Sequence, residues 1–364
     1  MDRYTPDLEM EEVGFGENID DSQSSDIVIL SDEERSHLMQ LLDDKVKAIE
    51  GFSAPDIARL REVLVRNLEA FGSKQIPARM SNLVPIECHL KDPNAEIFCT
   101  PRWLGQNQME FLKRRLLSML TRNLLRKTFN PLYGCQAFVV PKPGKEKYRM
   151  VLDMRLLNKH TRRTSLLMPN LEQQVSFPKG SSIFGTFDIL SGFYYLPVQE
   201  ESRKYFTLVT HFGAFELCGS PQGWVNTPQL FQNRMLTEIL EPIELFGTSK
   251  TGICQWIDDT LLYSTDMNSY LEALEKFLAR MKEKRLLLNL EKCTFLGRET
   301  VWCGRYITAE GATQTSTLIA FSPCQSHLFS MSLRKCSISV HGYHQQYLIY
   351  HCYGDILQIW LTCS

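Results

Sequence analysis

The stretch that decides the fold reads Thr186-Phe187-Asp188-Ile189-Leu190-Ser191-Gly192-Phe193. An apolar run ends there on a carboxylate, and a turn of small residues and then an aromatic residue follow. A second stretch reads Gln255-Trp256-Ile257-Asp258-Asp259-Thr260-Leu261-Leu262-Tyr263. Two short apolar runs flank its pair of carboxylates, so the pattern predicts a hairpin of strands with Asp258 and Asp259 at the connection.

An Asp-Asp pair in such a place is, taken alone, typical of an ordinary β-turn. Asp188 changes this interpretation, because two carboxylates at neighbouring strand ends repel each other unless a divalent cation neutralises them. Hard oxygen ligands of this kind suit Mg²⁺. Two such ions about 4 Å apart can activate an attacking hydroxyl and stabilise a leaving oxygen in phosphoryl transfer. The sequence therefore predicts polymerase or nuclease chemistry at these carboxylates.

The composition is that of a folded protein with an uneven charge distribution. Of 364 residues, 43% are apolar and 23% are charged, which excludes a wholly disordered, collagen-like or coiled-coil chain. Residues 1–60 carry sixteen acidic and five basic side chains, whereas residues 101–163 carry fifteen basic and three acidic ones. The basic block indicates either a polyanion partner or a solvated basic face.

The cysteines and the apolar runs indicate a reducing compartment. The eleven cysteines contain no CxxC pair and no metal-ligand spacing, so we expect free thiols. The acidic N-terminus lacks the pattern of a signal peptide. No apolar run is long enough to predict a membrane span.

Local patterns divide the chain into segments. Residues 1–35 are predicted to be an acidic disordered tail, and residues 36–75 a helical segment with a linker. Residues 83–100 alternate like a strand. Further helices are predicted over 106–127, 228–240 and 269–286, the last with a capping box at Ser269 and Glu272, and strands over Cys135–Pro141, Tyr148–Asp153 and Ile183–Asp188. Alternating strands and helices predict an α+β or α/β class.

Seven motifs in order make the pattern specific. They are Phe138 to Gly144 (FVVPKPG), Tyr148 to Lys159 (YRMVLDMRLLNK), Phe187 to Phe193 (FDILSGF), Pro221 to Gln232 (PQGWVNTPQLFQ), Trp256 to Asp259 (WIDD), Leu288 to Cys293 (LNLEKC) and Val301 to Arg305 (VWCGR). With these motifs, residues 76–312 resemble the reverse transcriptase of a long-terminal-repeat (Ty3/gypsy-like) retrotransposon polyprotein.

The resemblance implies an α+β right-hand polymerase fold with fingers and palm, an antiparallel palm sheet backed by helices, and a truncated or missing thumb. It implies an RNA-directed DNA polymerase that uses two Mg²⁺ ions, or Mn²⁺ in their place, on a primed RNA or DNA template with deoxynucleoside triphosphates. Asp188 and Asp258 would be the main metal ligands and Asp259 a peripheral one. We expect a location in the cytoplasm, a virus-like particle or the nucleus, without secretion.

The same resemblance assigns further roles. Ile189 would hold the nucleotide-bound metal through its carbonyl, and Lys142 and Arg149 would clamp the triphosphate. Phe193 would be the steric gate that excludes a 2′-hydroxyl. The remaining assignments are Gln222 and Gly223 along the template and nascent pair, and Trp302, Cys303 and Gly304 at the primer end.

Two features depart from the family. Trp256 stands where the family more often has Tyr or Phe. Residues 316–364 contain only three charged side chains, with four of the eleven cysteines and four of the eight histidines. We interpret residues 313–364 as a frameshifted or poorly ordered end, with a small β subdomain as the alternative. No ribonuclease H or protease motif is recognisable, so the competing hypothesis is an inert retroelement remnant or a co-opted nucleic-acid-binding module.

Overall fold

A computed structural model of the chain describes residues 30–73, 80–141, 148–246 and 250–314. Its α-helices are α1 (Asp32–Lys47), α2 (Ala54–Arg66), α3 (Gln106–Thr121), α4 (Arg155–His160), α5 (Leu171–Ser176), α6 (Gly192–Tyr195), α7 (Glu200–Arg203), α8 (Thr227–Arg234) and α9 (Met267–Glu283). Its strands are β1 (Phe71–Gly72), β2 (Leu125–Thr128), β3 (Cys135–Pro141), β4 (Tyr148–Asp153), β5 (Ile183–Asp188), β6 (Thr207–Thr210), β7 (Gly213–Leu217), β8 (Thr251–Trp256), β9 (Asp259–Ser264), β10 (Leu288–Asn289), β11 (Thr294–Gly297), β12 (Thr300–Trp302), β13 (Arg305–Thr308) and β14 (Gly311–Gln314). Within the described ranges, no helix is both long and apolar enough to cross a membrane.

The predicted palm is a four-stranded antiparallel sheet in the order β11-β5-β9-β8. Alternate residues of a strand point to opposite faces, so this sheet has two different surfaces. Phe187 and Leu262 lie on the face that packs against α9, where the rings of Phe187 and Phe277 are 5.7 Å apart. The other face carries Phe184 and Tyr263, which form a second apolar cluster with Trp302. The prediction of an antiparallel palm sheet backed by helices is confirmed.

The predicted fingers contain a five-stranded sheet in the order β2-β7-β6-β3-β4. The hairpin of β3 and β4 has the bounds expected from the sequence, with Val140 paired to Arg149. β3 also pairs in parallel with β6. This pairing connects the β3–β4 hairpin to the part of the chain that follows the Phe187 to Phe193 motif. The tip of the hairpin, residues 142–147 with the predicted clamp residue Lys142, lies outside the described residues.

Three elements differ from their sequence patterns. α3 ends at Thr121 instead of residue 127, because Asn123 adopts a left-handed conformation (φ 54°) and the chain turns into β2. The alternation over 83–100 does not produce a ladder but isolated bridges, such as Ile86 to Val198. α9 begins at Met267 and is capped by Asp266, whose carboxylate accepts from the Ser269 amide, in place of the predicted capping box.

The N-terminal helices are part of the palm. α1 begins at Asp32, inside the predicted acidic tail, because Ser31 and Glu34 form a capping box and acidic residues in the first turn favour a helix start. The buried leucines of α1 and α2 belong to the main core, and β1 pairs in parallel with β10. Glu69 accepts hydrogen bonds from Arg35 of α1 and Lys282 of α9. Residues 30–73 therefore share one core with the polymerase-like region instead of forming a separate domain.

This shared core predicts that Leu38→Ala in α1 and Leu60→Ala in α2 each lower the free energy of unfolding by about 2–5 kcal/mol, because both side chains are fully buried and leave a cavity. Urea unfolding of the full chain measures the effect. The control is Gln40→Ala, at an exposed position of α1. Equal midpoints for all three variants and the unaltered chain would show that this segment is a disposable spacer.

Candidate active site

The strand register places two of the three carboxylates side by side. Asp188, the last residue of β5, pairs directly with Asp259, the first residue of β9. Residues directly opposite each other in antiparallel strands have Cα atoms about 4.5–5.5 Å apart and side chains on the same face. The Ile189 amide also donates a 3.0 Å hydrogen bond to the Asp258 carbonyl. The end of β5 is therefore fixed to the turn that carries the third carboxylate.

The connection between β8 and β9 is a two-residue turn made by Ile257 and Asp258. Ile257 has φ 54°, a left-handed value that is an outlier for a β-branched residue. Such a conformation costs on the order of 1–3 kcal/mol and persists only where the surroundings hold it. The sequence placed the connection on Asp258 and Asp259, whereas the structure places Asp259 in the strand, one residue after the turn.

The charges at this corner are strongly coupled. Burial raises the pKa of the Asp259 carboxyl to about 6, the negative charge of Asp188 acts in the same direction, and Lys292 opposes them. Asp259 as a whole residue is exposed, so solvent screens part of this effect, while the like-charged Asp188 directly opposite still favours the protonated form of Asp259. The Lys292 ammonium lies 3.0 Å from Asp188 Oδ2 and supplies positive charge where the two carboxylates meet.

Lys292 was not assigned a role from the sequence. It belongs to the Leu288 to Cys293 motif, and its place in that motif was the available signal. β10 brings it there, because Ile189 and Leu288 form a bridge next to Asp188.

The donors suit a divalent cation in type and charge, since the carboxylates of Asp188 and Asp259 repel each other and a cation would relieve that repulsion. Across the described residues, however, no group of three His, Cys, Asp or Glu side chains is arranged to hold a metal ion. The corner thus provides the ligand chemistry without a preformed three-ligand cage, and the Lys292 ammonium contributes the positive charge beside Asp188.

The residues that follow Asp188 pack inward. Ser191 has φ 53° and is followed by α6, which buries Phe193 against Phe231 with ring centroids 5.4 Å apart. A Cβ atom on Gly192 would meet the Phe231 ring at 2.6 Å, so only glycine permits this approach. Phe193 is 2% exposed, so its ring forms part of the core. Its role as a sugar gate stays a prediction.

The segment predicted to lie along the template is a turn held by Asn158. The Asn158 side chain donates to the Gly223 carbonyl at 2.8 Å and accepts from the Val225 amide at 2.9 Å. Gly223 is exposed with φ 93°, and Gln222 is half-buried. These two bonds fix the exposed backbone of the turn.

The remaining predicted site residues are not gathered at the carboxylates. Arg149 lies in β4 of the fingers sheet, half-buried. Trp302 is 3% exposed and belongs to the second apolar cluster, so the β12–β13 hairpin presents its turn, with exposed Gly304 and half-buried Cys303, and not the indole. β12 itself contacts β5. Contact with a primer stays a prediction, and for Trp302 the structure shows a packing role.

The raised pKa of Asp259 makes a stability prediction with a defined sign. The folded state holds this proton up to about pH 6, whereas the unfolded chain releases it near its ordinary value of 3.8, so the stabilisation present below pH 3.8 is lost as the pH rises through 6. Asp259→Asn should therefore gain free energy of unfolding relative to the unaltered chain between pH 4 and pH 7. Urea unfolding in chelator at both pH values measures this difference, and a difference that does not change with pH would contradict it.

Comparisons with known proteins agree with this geometry. Residues 140–315 match the family model described as reverse transcriptase (RNA-dependent DNA polymerase). The Retrovirus-related Pol polyprotein from transposon 297 of Drosophila melanogaster is 28% identical over 222 residues, covering 60% of this chain and 20% of that protein. The Transposon Tf2-3 polyprotein of Schizosaccharomyces pombe is 24% identical over 227 residues, covering 62% and 16%. The chain thus spans about a fifth of the length of these polyproteins.

Solved structures show the same fold. A foamy viral protease-reverse transcriptase in complex with an RNA/DNA hybrid superposes with a TM-score of 0.67 at 18% identity, covering 81% of this chain and 38% of that one. A second foamy viral protease-reverse transcriptase, in complex with double-stranded DNA, gives the same TM-score at 19% identity, covering 77% and 56%. The α+β polymerase fold with an antiparallel palm sheet is therefore confirmed, and residues 140–315 form a reverse transcriptase domain similar to those of long-terminal-repeat retrotransposon polyproteins.

Proposed function

We propose that this chain is an RNA-directed DNA polymerase that adds deoxynucleotides to a primer 3′-hydroxyl. The observation that supports it is the direct pairing of Asp188 with Asp259 beside the Asp258 turn. The Phe187 to Phe193 and Trp256 to Asp259 motifs supply these carboxylates, and the pairing of β5 with β9 brings them to the same end of the sheet. A buried helical core behind the sheet makes the corner rigid, as positioning of reacting groups requires.

Asp188, Asp258 and Asp259 would hold divalent cations, Mg²⁺ or Mn²⁺, which would supply activation of the primer hydroxyl and charge stabilisation on the triphosphate. The chain itself orients these carboxylates through the β5–β9 register and through the Ile189 to Asp258 hydrogen bond. The Lys292 ammonium offsets part of the carboxylate charge through its contact with Asp188. Arg149 would bind triphosphate oxygens, because its planar group can donate two hydrogen bonds at once.

A nucleic-acid partner is supported by the charge of the fingers. Lys113 and Arg114 on α3 and Lys127 on β2 are exposed. Arg126 is partly neutralised, since it pairs with Glu200 at 2.7 Å and Glu216 at 2.8 Å. Sequence information would come from template pairing, so these cations would contact the phosphate backbone. The foamy viral structures that share this fold are complexes with an RNA/DNA hybrid and with double-stranded DNA.

A second function, nucleic-acid binding without turnover, is favoured by one observation. The Lys292 ammonium already pairs with Asp188, 3.0 Å from its Oδ2 atom, where a cation would bind. Primer extension with the full chain on a primed RNA template separates the two functions.

We expect Asp258→Asn to abolish nucleotide addition and to leave primer–template binding nearly unchanged, because the amide loses the charge that holds a cation but keeps the shape. Extension of a labelled primer and its binding by fluorescence anisotropy measure the two effects. Asp92→Asn is the control, since Asp92 lies in an exposed surface turn and an asparagine oxygen can still accept from the Asn94 amide. An Asp258→Asn protein that extends primers would refute the assignment.

We expect Phe193→Val to admit ribonucleotides, because a smaller side chain would leave room for a 2′-hydroxyl. The ratio of kcat/KM for a ribonucleotide and its deoxynucleotide measures selectivity. Phe231→Leu is the matched control, because it loosens the same ring contact without changing the gate. The same change in selectivity for both variants would show that packing, and not a gate at Phe193, controls the sugar preference.

A further inference from the structure

The β8–β9 hairpin, which carries Asp258 and Asp259, lies at an edge of the palm sheet. In the order β11-β5-β9-β8, β8 has a strand partner on one side only. Backbone groups along the outer edge of such a strand need partners from elsewhere in the fold. One partner is the Leu245 carbonyl, which accepts from the Ile253 amide at 2.7 Å. The next edge positions are Gln255 and Ile257, and both are bonded by glutamine side chains.

Gln174 of α5 takes the place of a strand residue opposite Gln255. Its Oε1 accepts from the Gln255 amide at 2.8 Å, and its Nε2 donates to the Gln255 carbonyl at 3.0 Å. α5 packs on the face that carries Asp188 and Asp259, where Val175 belongs to the second apolar cluster. Gln174 is 1% exposed, so these bonds form away from water.

Gln232 of α8 reaches the same edge from the opposite face. Its Nε2 also donates to the Gln255 carbonyl at 3.0 Å, and its Oε1 accepts from the Ile257 amide at 2.7 Å. α8 belongs to the main core through Phe231. Gln232 is 1% exposed. The turn is therefore held from both faces of the sheet by two different helices.

The third glutamine, Gln255, belongs to the hairpin itself and bonds to two of its residues. Gln255 Nε2 donates to the Ile257 carbonyl at 2.6 Å, and Gln255 Oε1 accepts from the Thr260 hydroxyl at 2.6 Å. Both backbone polar groups of Ile257, the residue with φ 54°, are thus bonded by glutamine side chains. An amide is suited to this task because it offers a donor and an acceptor without a charge that would add to the nearby carboxylates.

We propose that Gln174, Gln232 and Gln255 are positioning residues that hold the left-handed Ile257 turn and thereby set the direction of Asp258 and Asp259. The proposal rests on the proposed function for its catalytic consequence. Its structural part, the bracing of the turn, stands on the hydrogen bonds alone. Gln232 is the last residue of the Pro221 to Gln232 motif and Gln255 opens the stretch that carries Asp258 and Asp259, but neither was assigned this role from the sequence.

Hydrogen exchange followed by mass spectrometry tests the brace without substrate or metal. Gln232→Met and Gln174→Met keep the side-chain length and remove both hydrogen-bonding groups. Each should raise the exchange rate of a peptide over 253–260 by roughly three- to tenfold, as expected for lost hydrogen bonds. Gln173→Met is the matched control, because Gln173 neighbours Gln174 on α5 but is exposed, and its exchange should match the unaltered chain.

Steady-state kinetics test the catalytic consequence. For both methionine variants we expect kcat for nucleotide addition to fall by about ten- to a hundredfold, since a small displacement of reacting groups has effects of this size. The Kd for primer–template should stay unchanged. Gln232→Glu retains an acceptor for the Ile257 amide but loses the donor to the Gln255 carbonyl and adds a buried charge, so its hairpin exchange should also exceed that of the unaltered chain.

Three outcomes would overturn the proposal: hairpin exchange that does not change in any variant, exchange that rises equally over the whole chain, or faster hairpin exchange with an unchanged kcat. Failure of the methionine variants to fold leaves Gln232→Glu, for which exchange equal to that of the unaltered chain would also overturn it. If the unaltered chain adds no nucleotide, the proposed function fails while the exchange measurements still decide whether the glutamines brace the turn.

Discussion

A slip of β5 by one residue against β9 would turn Asp188 to the opposite face of the sheet from Asp259, because side chains alternate along a strand. The register is held by what lies behind the sheet. Gly185 gives space to the Tyr270 side chain of α9, whose hydroxyl donates to the Phe295 carbonyl in the neighbouring strand β11. Two residues later Phe187 packs on Phe277. The core face of the sheet thus decides that the two carboxylates meet on the other face.

That meeting is unfavourable in isolation. Two carboxylates face each other, and a β-branched residue adopts a left-handed turn within the same hairpin. A folded protein keeps such a corner only if the remaining structure holds it in place. Here α9 and α8 support the core face, α5 supports the other face, and the Lys292 ammonium offsets part of the charge. The backbone strain at Ile257 and the repulsion between the carboxylates therefore lie where the proposed divalent cation would bind.

The N-terminal helices contribute to this support from the far side of the palm. Lys45 of α1 donates to the Cys293 carbonyl at 2.8 Å, directly after Lys292 in the chain. β1 pairs with β10, which precedes the same segment. α1 thus reaches a backbone position next to the lysine that contacts Asp188. The packing of residues 30–73 and the electrostatics of the carboxylate corner are parts of one arrangement.

The sequence by itself determined the strands that carry chemistry and the residues at their ends. The bounds of β3, β4 and β5 follow from apolar runs and turn residues, which are local properties, and the two apolar runs that flank Asp258 and Asp259 predicted a hairpin. Local patterns misplaced the end of α3 and the strand over 83–100, because a left-handed Asn123 and single bridges to distant residues override propensity. Only the tertiary structure decided that Asp259 faces Asp188, that Trp302 and Phe193 are buried, and that Lys292 and three glutamines converge on the hairpin. Those relations join residues that are far apart in the chain, and they depend on sheet register and helix packing, which no local pattern records.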